Sequence, residues 1–98
     1  MVHSDICGTL SVKTYDNKEY FITFINDYSK YIYVYLISTK SEALNYFKKY
    51  RAEVERQLGR NIKVLRTDRG GEYNSKEFNL YCQEHGIKRH MTMPYTSQ

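Results

Sequence analysis

Apolar positions along this chain follow two rhythms. Residues 19–26 (EYFITFIN) are almost unbroken β-branched and aromatic positions, the pattern of a buried strand. Residues 31–37 (YIYVYLI) alternate, with Tyr31, Tyr33, Tyr35 and Ile37 on one face and Ile32, Val34 and Leu36 on the other. The stretch Asp27-Tyr28-Ser29-Lys30 between them has turn chemistry, so the pair predicts an antiparallel hairpin. The period then becomes helical: Ala43, Phe47, Tyr50 and Val54 share one face. Ser41 is expected to cap this helix with Glu42 in its first turn, and Gly59 to end it in a left-handed conformation. Residues 61–67 (NIKVLRT) alternate as a strand. Asn74 with Glu77 resembles a capping box, Phe78, Tyr81, Cys82 and His85 mark the buried face of a second helix, and Gly86 stops it. Residues 87–93 make a short last strand, and residues 1–8 (MVHSDICG) a first one if they pair.

Strand, hairpin, helix, strand, helix, strand is the order of an α/β domain with a mixed sheet, its helices covering one or both faces. With 98 residues, 41% of them hydrophobic, the chain is at most one small domain. Eleven tyrosines and four phenylalanines with no tryptophan make it rich in aromatics, and a single proline argues against a linker. The tyrosines of the hairpin invite a base-stacking role, but alternating strand aromatics more commonly pack, and packing is the expectation here.

The net charge of +4 sits mainly in residues 50–98, where nine Lys/Arg face six Asp/Glu. This permits nucleic-acid binding without requiring it. Cys7 and Cys82 are too far apart for a CxxC motif, so two buried thiols of a reducing, intracellular compartment are expected. No apolar run is long enough to span a membrane, and the start has no signal-peptide pattern.

Two aspartates stand out. Asp68 follows the strand VLRT and precedes Arg69-Gly70-Gly71; it is either an ordinary turn residue or a carboxylate presented at a strand end, where open α/β sheets gather their ligands. The glycines would free the backbone there for the approach of a bulky ligand. Asp5 lies inside the first strand, a disfavoured place for aspartate. If the two strands are parallel neighbours, the carboxylates come close, and they repel unless a cation neutralises them. Oxygen ligands with no His or Cys beside them suit Mg²⁺ or Mn²⁺, the ions of phosphoryl chemistry.

HSDICG at residues 3–8, YFITFINDYSKYIYVYLI at 20–37, KSEALNYFKKY at 40–50, LRTDRGGEYNSKEF at 65–78 and the final GIKRHMTMPYTSQ together resemble the integrase catalytic core of copia-type retrotransposons. The resemblance spans residues 1–98 as one integrase core domain. It implies a ribonuclease-H-like mixed five-stranded sheet flanked by helices, and a metal-dependent polynucleotidyl transferase acting through Asp, Asp and Glu. Asp5 and Asp68 match the first two carboxylates, as catalytic residues and metal ligands, with Mg²⁺ (or Mn²⁺) as cofactor, two ions in the complete site. The family's third carboxylate falls past Gln98, and Glu72, Glu77 and Glu84 are at the wrong spacing for it. The fragment is therefore expected to lack its C-terminal helices, to be weak or inactive alone, and to self-associate through apolar sheet surface so exposed.

The same resemblance implies element-end and target DNA as partners, with Tyr95, Gln98, Lys88 and Arg89 as candidate contacts. Lys88 and Arg89 read equally well as a solvated strand end. It further implies self-assembly of the full protein and residence in nucleus and cytoplasmic particles. Thr9 and Ser97 stand where the family usually has Pro, and Asn26 where it often has Asp. A fold retained as a non-catalytic nucleic-acid or protein interaction module is the alternative.

Overall fold

The computed structural model describes residues 1–8, 18–68 and 70–91. Within them lie strands β1 (Val2–Gly8), β2 (Tyr20–Asn26) and β3 (Ile32–Ile37), helix α1 (Ala43–Leu58), strand β4 (Val64–Thr67), helix α2 (Lys76–Glu84) and strand β5 (Lys88–Met91). The five strands form one sheet in the order β3-β2-β1-β4-β5. β1 is antiparallel to β2, and β2 to β3, while β4 runs parallel to both β1 and β5. The sheet is mixed, as the element order predicts. Thr9, Tyr95, Ser97, Gln98 and the end of the expected last strand lie outside the described residues.

Both helices pack on one face. Phe24 of β2 stacks on Tyr50 of α1 with centroids 4.6 Å apart, and Phe47 stacks on Phe78 of α2 at 5.6 Å. Val2, Ile22, Ile37 and Leu65 complete this core from the strands. Tyr33 and Tyr35 lean into the same core, so the hairpin tyrosines pack as expected, but Tyr31 is 66% exposed. The pattern of β2 is correspondingly one-sided: Ile22, Phe24 and Asn26 are buried, while Phe21, Thr23 and Ile25 are half-buried on the far face. Beside them Ile32, Val34 and Leu36 stand 62%, 57% and 44% exposed. No described helix covers that face.

Local chemistry moves several boundaries. Thr39, not Ser41, starts the first helix through a 3₁₀ turn at Lys40–Glu42. The Glu42 carboxylate reaches back to accept from the Ser38 and Thr39 amides, each at 2.9 Å, which closes a capping box that Ser41 cannot make. Ser75, not Asn74, caps α2, its hydroxyl accepting from the Phe78 amide at 3.1 Å. His85 is exposed, because α2 ends at Glu84 and Gly86 turns the chain away with φ +68°. Gly59 ends α1 at φ +64°, as expected. Residues 61–63 do not join β4: the Ile62 amide donates to Glu55 Oε2 of α1 at 2.7 Å, and the β4–β5 pairing begins at Val64, with only the Lys63 carbonyl accepting from the Lys88 amide at 2.8 Å. Of the two free thiols, Cys82 is buried and Cys7 only half-buried.

The capping box carries a pH signature. The Thr39 amide first, and then that of Ser38, hold the Glu42 carboxyl below its ordinary 4.5. A group depressed in the folded state stabilises above its unfolded pKa, and that stability is lost as pH falls through the folded one. Glu42→Ala should therefore cost about 1 kcal/mol near neutrality, and the gap should narrow as pH drops below 4.5. Melts of both proteins across that range check this; a gap independent of pH would count against the cap.

Candidate functional site

β1 and β4 pair at Val2↔Leu65 and His3↔Arg66. The pairing ends there; the same offset carried forward would set Ser4 beside Thr67 and Asp5 beside Asp68. Strand alternation then sorts the side chains. Val2, Ser4, Leu65 and Thr67 are buried under the helices, whereas Asp5 and Asp68 are exposed toward the face that no described helix covers. Neither aspartate is in an ion pair among the described residues. Asp5 thus lies midway along β1 and Asp68 directly after the end of its parallel neighbour β4.

Asp68 is also a turn residue. Its Oδ1 accepts the Gly70 amide at 2.8 Å, and the Gly70 carbonyl in turn accepts from the Tyr73 and Asn74 amides at 3.0 and 3.1 Å. A Cβ on Gly70 would stand 3.0 Å from Asp68 Oδ1 and 2.8 Å from Glu72 Oε1. Glycine is needed here because two carboxylates close on the same point. Glu72 therefore comes near Asp68, although its spacing in sequence gave it no role. Among the described residues, however, no three His, Cys, Asp or Glu side chains gather as a metal-binding group.

A buried polar layer lies directly beneath the aspartates. The Tyr73 hydroxyl, fully buried, meets Ser4 Oγ at 2.7 Å. Burial, and after it the carboxylates of Asp5, Asp68 and Glu72, push the Tyr73 phenol well above its ordinary 10, so it stays protonated. On the β4 side, Arg89 donates to Thr67 Oγ1 at 3.0 Å and to Asn79 Oδ1 at 3.1 Å, with its guanidinium 4.9 Å from the Phe78 ring. Burial lowers the Arg89 pKa from its ordinary value.

Arg89 is therefore neither a solvated strand end nor turned outward; its guanidinium braces the end of β4 from below. Lys88 is exposed, but it pairs with Val64 at the opposite end of β4. Four residues of strand separate that level from Asp68, roughly 13 Å. Sequence reasoning passed over Ser4, Thr67, Tyr73 and Asn79. The available signal was Ser4 itself: once residues 1–8 form a strand with Val2 inward, Ser4 also points inward and needs a buried partner.

The family profile described as "Integrase core domain" matches residues 1–97. The chain belongs to the integrase core family. It is 45% identical, over its whole length, to the retrovirus-related Pol polyprotein from transposon TNT 1-94 of Nicotiana tabacum, and 26% identical over 99% of its length to that from transposon RE2 of Arabidopsis thaliana. This integrase core spans only 7% and 6% of those polyproteins. Among solved structures, it is similar to the HTLV-2 integrase catalytic core domain in complex with magnesium, with a TM-score of 0.69 at 18% identity over 93% of this chain and 57% of that one. A simian T-cell lymphotropic virus intasome in complex with PP2A regulatory subunit B56 gamma gives 0.70 at 24% identity, over 97% and 32%. The ribonuclease-H-like sheet of an integrase core is thus the fold of this chain.

The donor set of this integrase core fits a hard divalent cation in kind. Both candidate ligands are carboxylates, both are exposed on one side, and neither is neutralised by a described cationic side chain. Among the described residues, the thiol beside Asp5 along β1 is that of Cys7. Its thiol is pushed up by burial and then by the Asp5 charge, away from the thiolate form that binds metal.

Proposed function

We propose that this chain is the catalytic core of a DNA-joining polynucleotidyl transferase, serving 3′-end processing and strand transfer of a retrotransposon, with Asp5 and Asp68 as ligands of Mg²⁺ or Mn²⁺. The observation that supports this is the register of β1 on β4, which, carried past His3 and Arg66, would bring together two carboxylates that are in no ion pair among the described residues. A divalent cation bound there would supply charge stabilisation for the attacking and leaving oxygens of a phosphodiester. The chain's own residues hold the arrangement ready. Asp68 is oriented by the Gly70 amide, Gly70 leaves room for the carboxylates, and the buried layer fixes both strand ends from beneath. Of the proposed DNA contacts, Lys88 is the described one with a free side chain on the surface, and it would meet a duplex well away from the acid pair. In a full protein, DNA ends, target DNA and further integrase copies are the proposed partners, in nucleus and cytoplasmic particles.

A second function is favoured by one observation: no third ligand stands with Asp5 and Asp68 among the described residues. A retained fold that binds nucleic acid or protein without catalysis would look like this. Titrating Mn²⁺ into ¹⁵N-labelled chain separates the two. The transferase core predicts selective broadening of the Asp5, Asp68 and Gly70 amides at millimolar metal. Uniform or absent broadening leaves the interaction module.

A further inference from the structure

We infer that Tyr73 is a positioning residue, whose buried hydroxyl clamps Ser4 and thereby sets the spacing of Asp5 and Asp68 for a divalent cation. This rests on the metal-site function proposed above, and it extends that function to a residue that touches neither metal nor substrate.

The geometry leading to it is specific. The last paired residues of β1 and β4 are His3 and Arg66, so the ladder stops short of the aspartates. Past that point, backbone hydrogen bonds no longer hold the two strand ends together, and something else must. Tyr73 belongs to the turn that leaves β4: its amide donates to the Gly70 carbonyl at 3.0 Å, and the Gly70 amide binds the Asp68 carboxylate at 2.8 Å. Its hydroxyl contacts Ser4, the residue before Asp5, at 2.7 Å. One side chain therefore links the turn that orients Asp68 to the strand that carries Asp5. The ring is fixed in its place, 0% exposed and set edge-on to Phe78 with centroids 5.7 Å apart. A rigid aromatic with one terminal hydrogen bond transmits position better than a flexible chain, because few torsions are left to absorb a displacement. Groups that orient metal ligands without touching the metal commonly change affinity by tenfold or more when removed.

Tyr73→Phe keeps the ring and removes only the hydroxyl; Ser4→Ala removes the partner. Tyr33→Phe is the control, since it too deletes a phenol hydrogen bond, to Gln57 Oε1 at 2.9 Å, but at the far edge of the sheet. Two readouts are needed. The first is the ¹⁵N–¹H spectrum without metal. Tyr73→Phe and Ser4→Ala should both shift the Asp5, Asp68 and Gly70 amides, while Tyr33→Phe leaves them in place. The second is Mn²⁺ affinity, expected to fall about tenfold in either variant. The double variant should fall no further than the single ones, because one contact is lost in all three.

Metal-free spectra of Tyr73→Phe and Ser4→Ala that superpose on wild type at Asp5, Asp68 and Gly70 overturn the clamp, whatever the metal result. Shifts at those amides with no Mn²⁺ binding even by the wild type would keep the clamp and remove the metal site it was proposed to serve. Unchanged Mn²⁺ affinity in both variants, with a wild type that binds, also overturns it. If Tyr73→Phe fails to fold, Ser4→Ala alone decides.

Discussion

Phe47→Ala is expected to leave the chain largely unfolded at room temperature. Phe47 is fully buried and touches Phe24 of β2, Phe78 of α2 and Tyr81, with centroids 6.0, 5.6 and 6.0 Å away. Among the described residues it is the one aromatic whose ring contacts tie α1 to both the sheet and the second helix. Removing a buried phenylalanine costs about 3–5 kcal/mol, against a total stability of roughly 5–15 kcal/mol for a domain of ordinary size. A small domain with one sheet face uncovered by any described helix sits toward the low end of that range. The contrast is Val34→Thr on the open face, which should change stability by no more than about 0.5 kcal/mol. Urea unfolding followed by far-ultraviolet circular dichroism gives both numbers. Similar midpoints for the two variants would mean that the core does not lie between sheet and helices as described.

Asp68→Asn should abolish Mn²⁺ binding without lowering the melting temperature. Asparagine keeps an Oδ1 that can accept the Gly70 amide, now at 2.8 Å, so the turn survives and only the charge is lost. In the metal-free chain Glu72 approaches that charge, Asp5 acts with both of them on the Tyr73 phenol, and no described cation is paired to any of them. Relieving repulsion among like charges favours the folded state. The variant is thus expected to be as stable as wild type, or slightly more so, and Asp5→Asn to behave the same way. Calorimetric Mn²⁺ titration beside a thermal melt checks both halves. A clear drop in melting temperature would give Asp68 a structural role in place of a ligand's.

Much of this was legible in the residues. The alternation of YIYVYLI placed Tyr33, Tyr35 and Ile37 inward correctly, because side-chain direction in a strand is a local property. The helix ends at Gly59 and Gly86 were legible for the same reason, as positions that need positive φ. Caps were not. Thr39 and Ser75 each lost to a neighbouring Ser or Asn with equal propensity, and the choice depends on which side chain reaches a free amide. The site was legible only in part. Asp5 and Asp68 stood out as carboxylates at odd places, and parallel pairing of their strands was a candidate arrangement, but the actual offset of β1 on β4 is a tertiary fact. Arg89 shows the limit most clearly: a basic residue near a strand end looks solvated, and only the packing of Phe78, Asn79 and Thr67 around it shows that it points inward.

The position of β1 has a consequence for how the molecule assembles. β1 is the central strand, so every route to the complete sheet passes through it, yet one of its neighbours is made from residues 64–67. The hairpin β2–β3 closes over a short turn and can form early, but β1 must wait for β4, far along the chain. Contacts of such wide sequence separation slow folding, because the loop must close before any bond rewards it. During synthesis, Asp5 leaves the ribosome well before Asp68. The ends of β1 and β4 that carry the two aspartates are then among the last parts of the sheet to form.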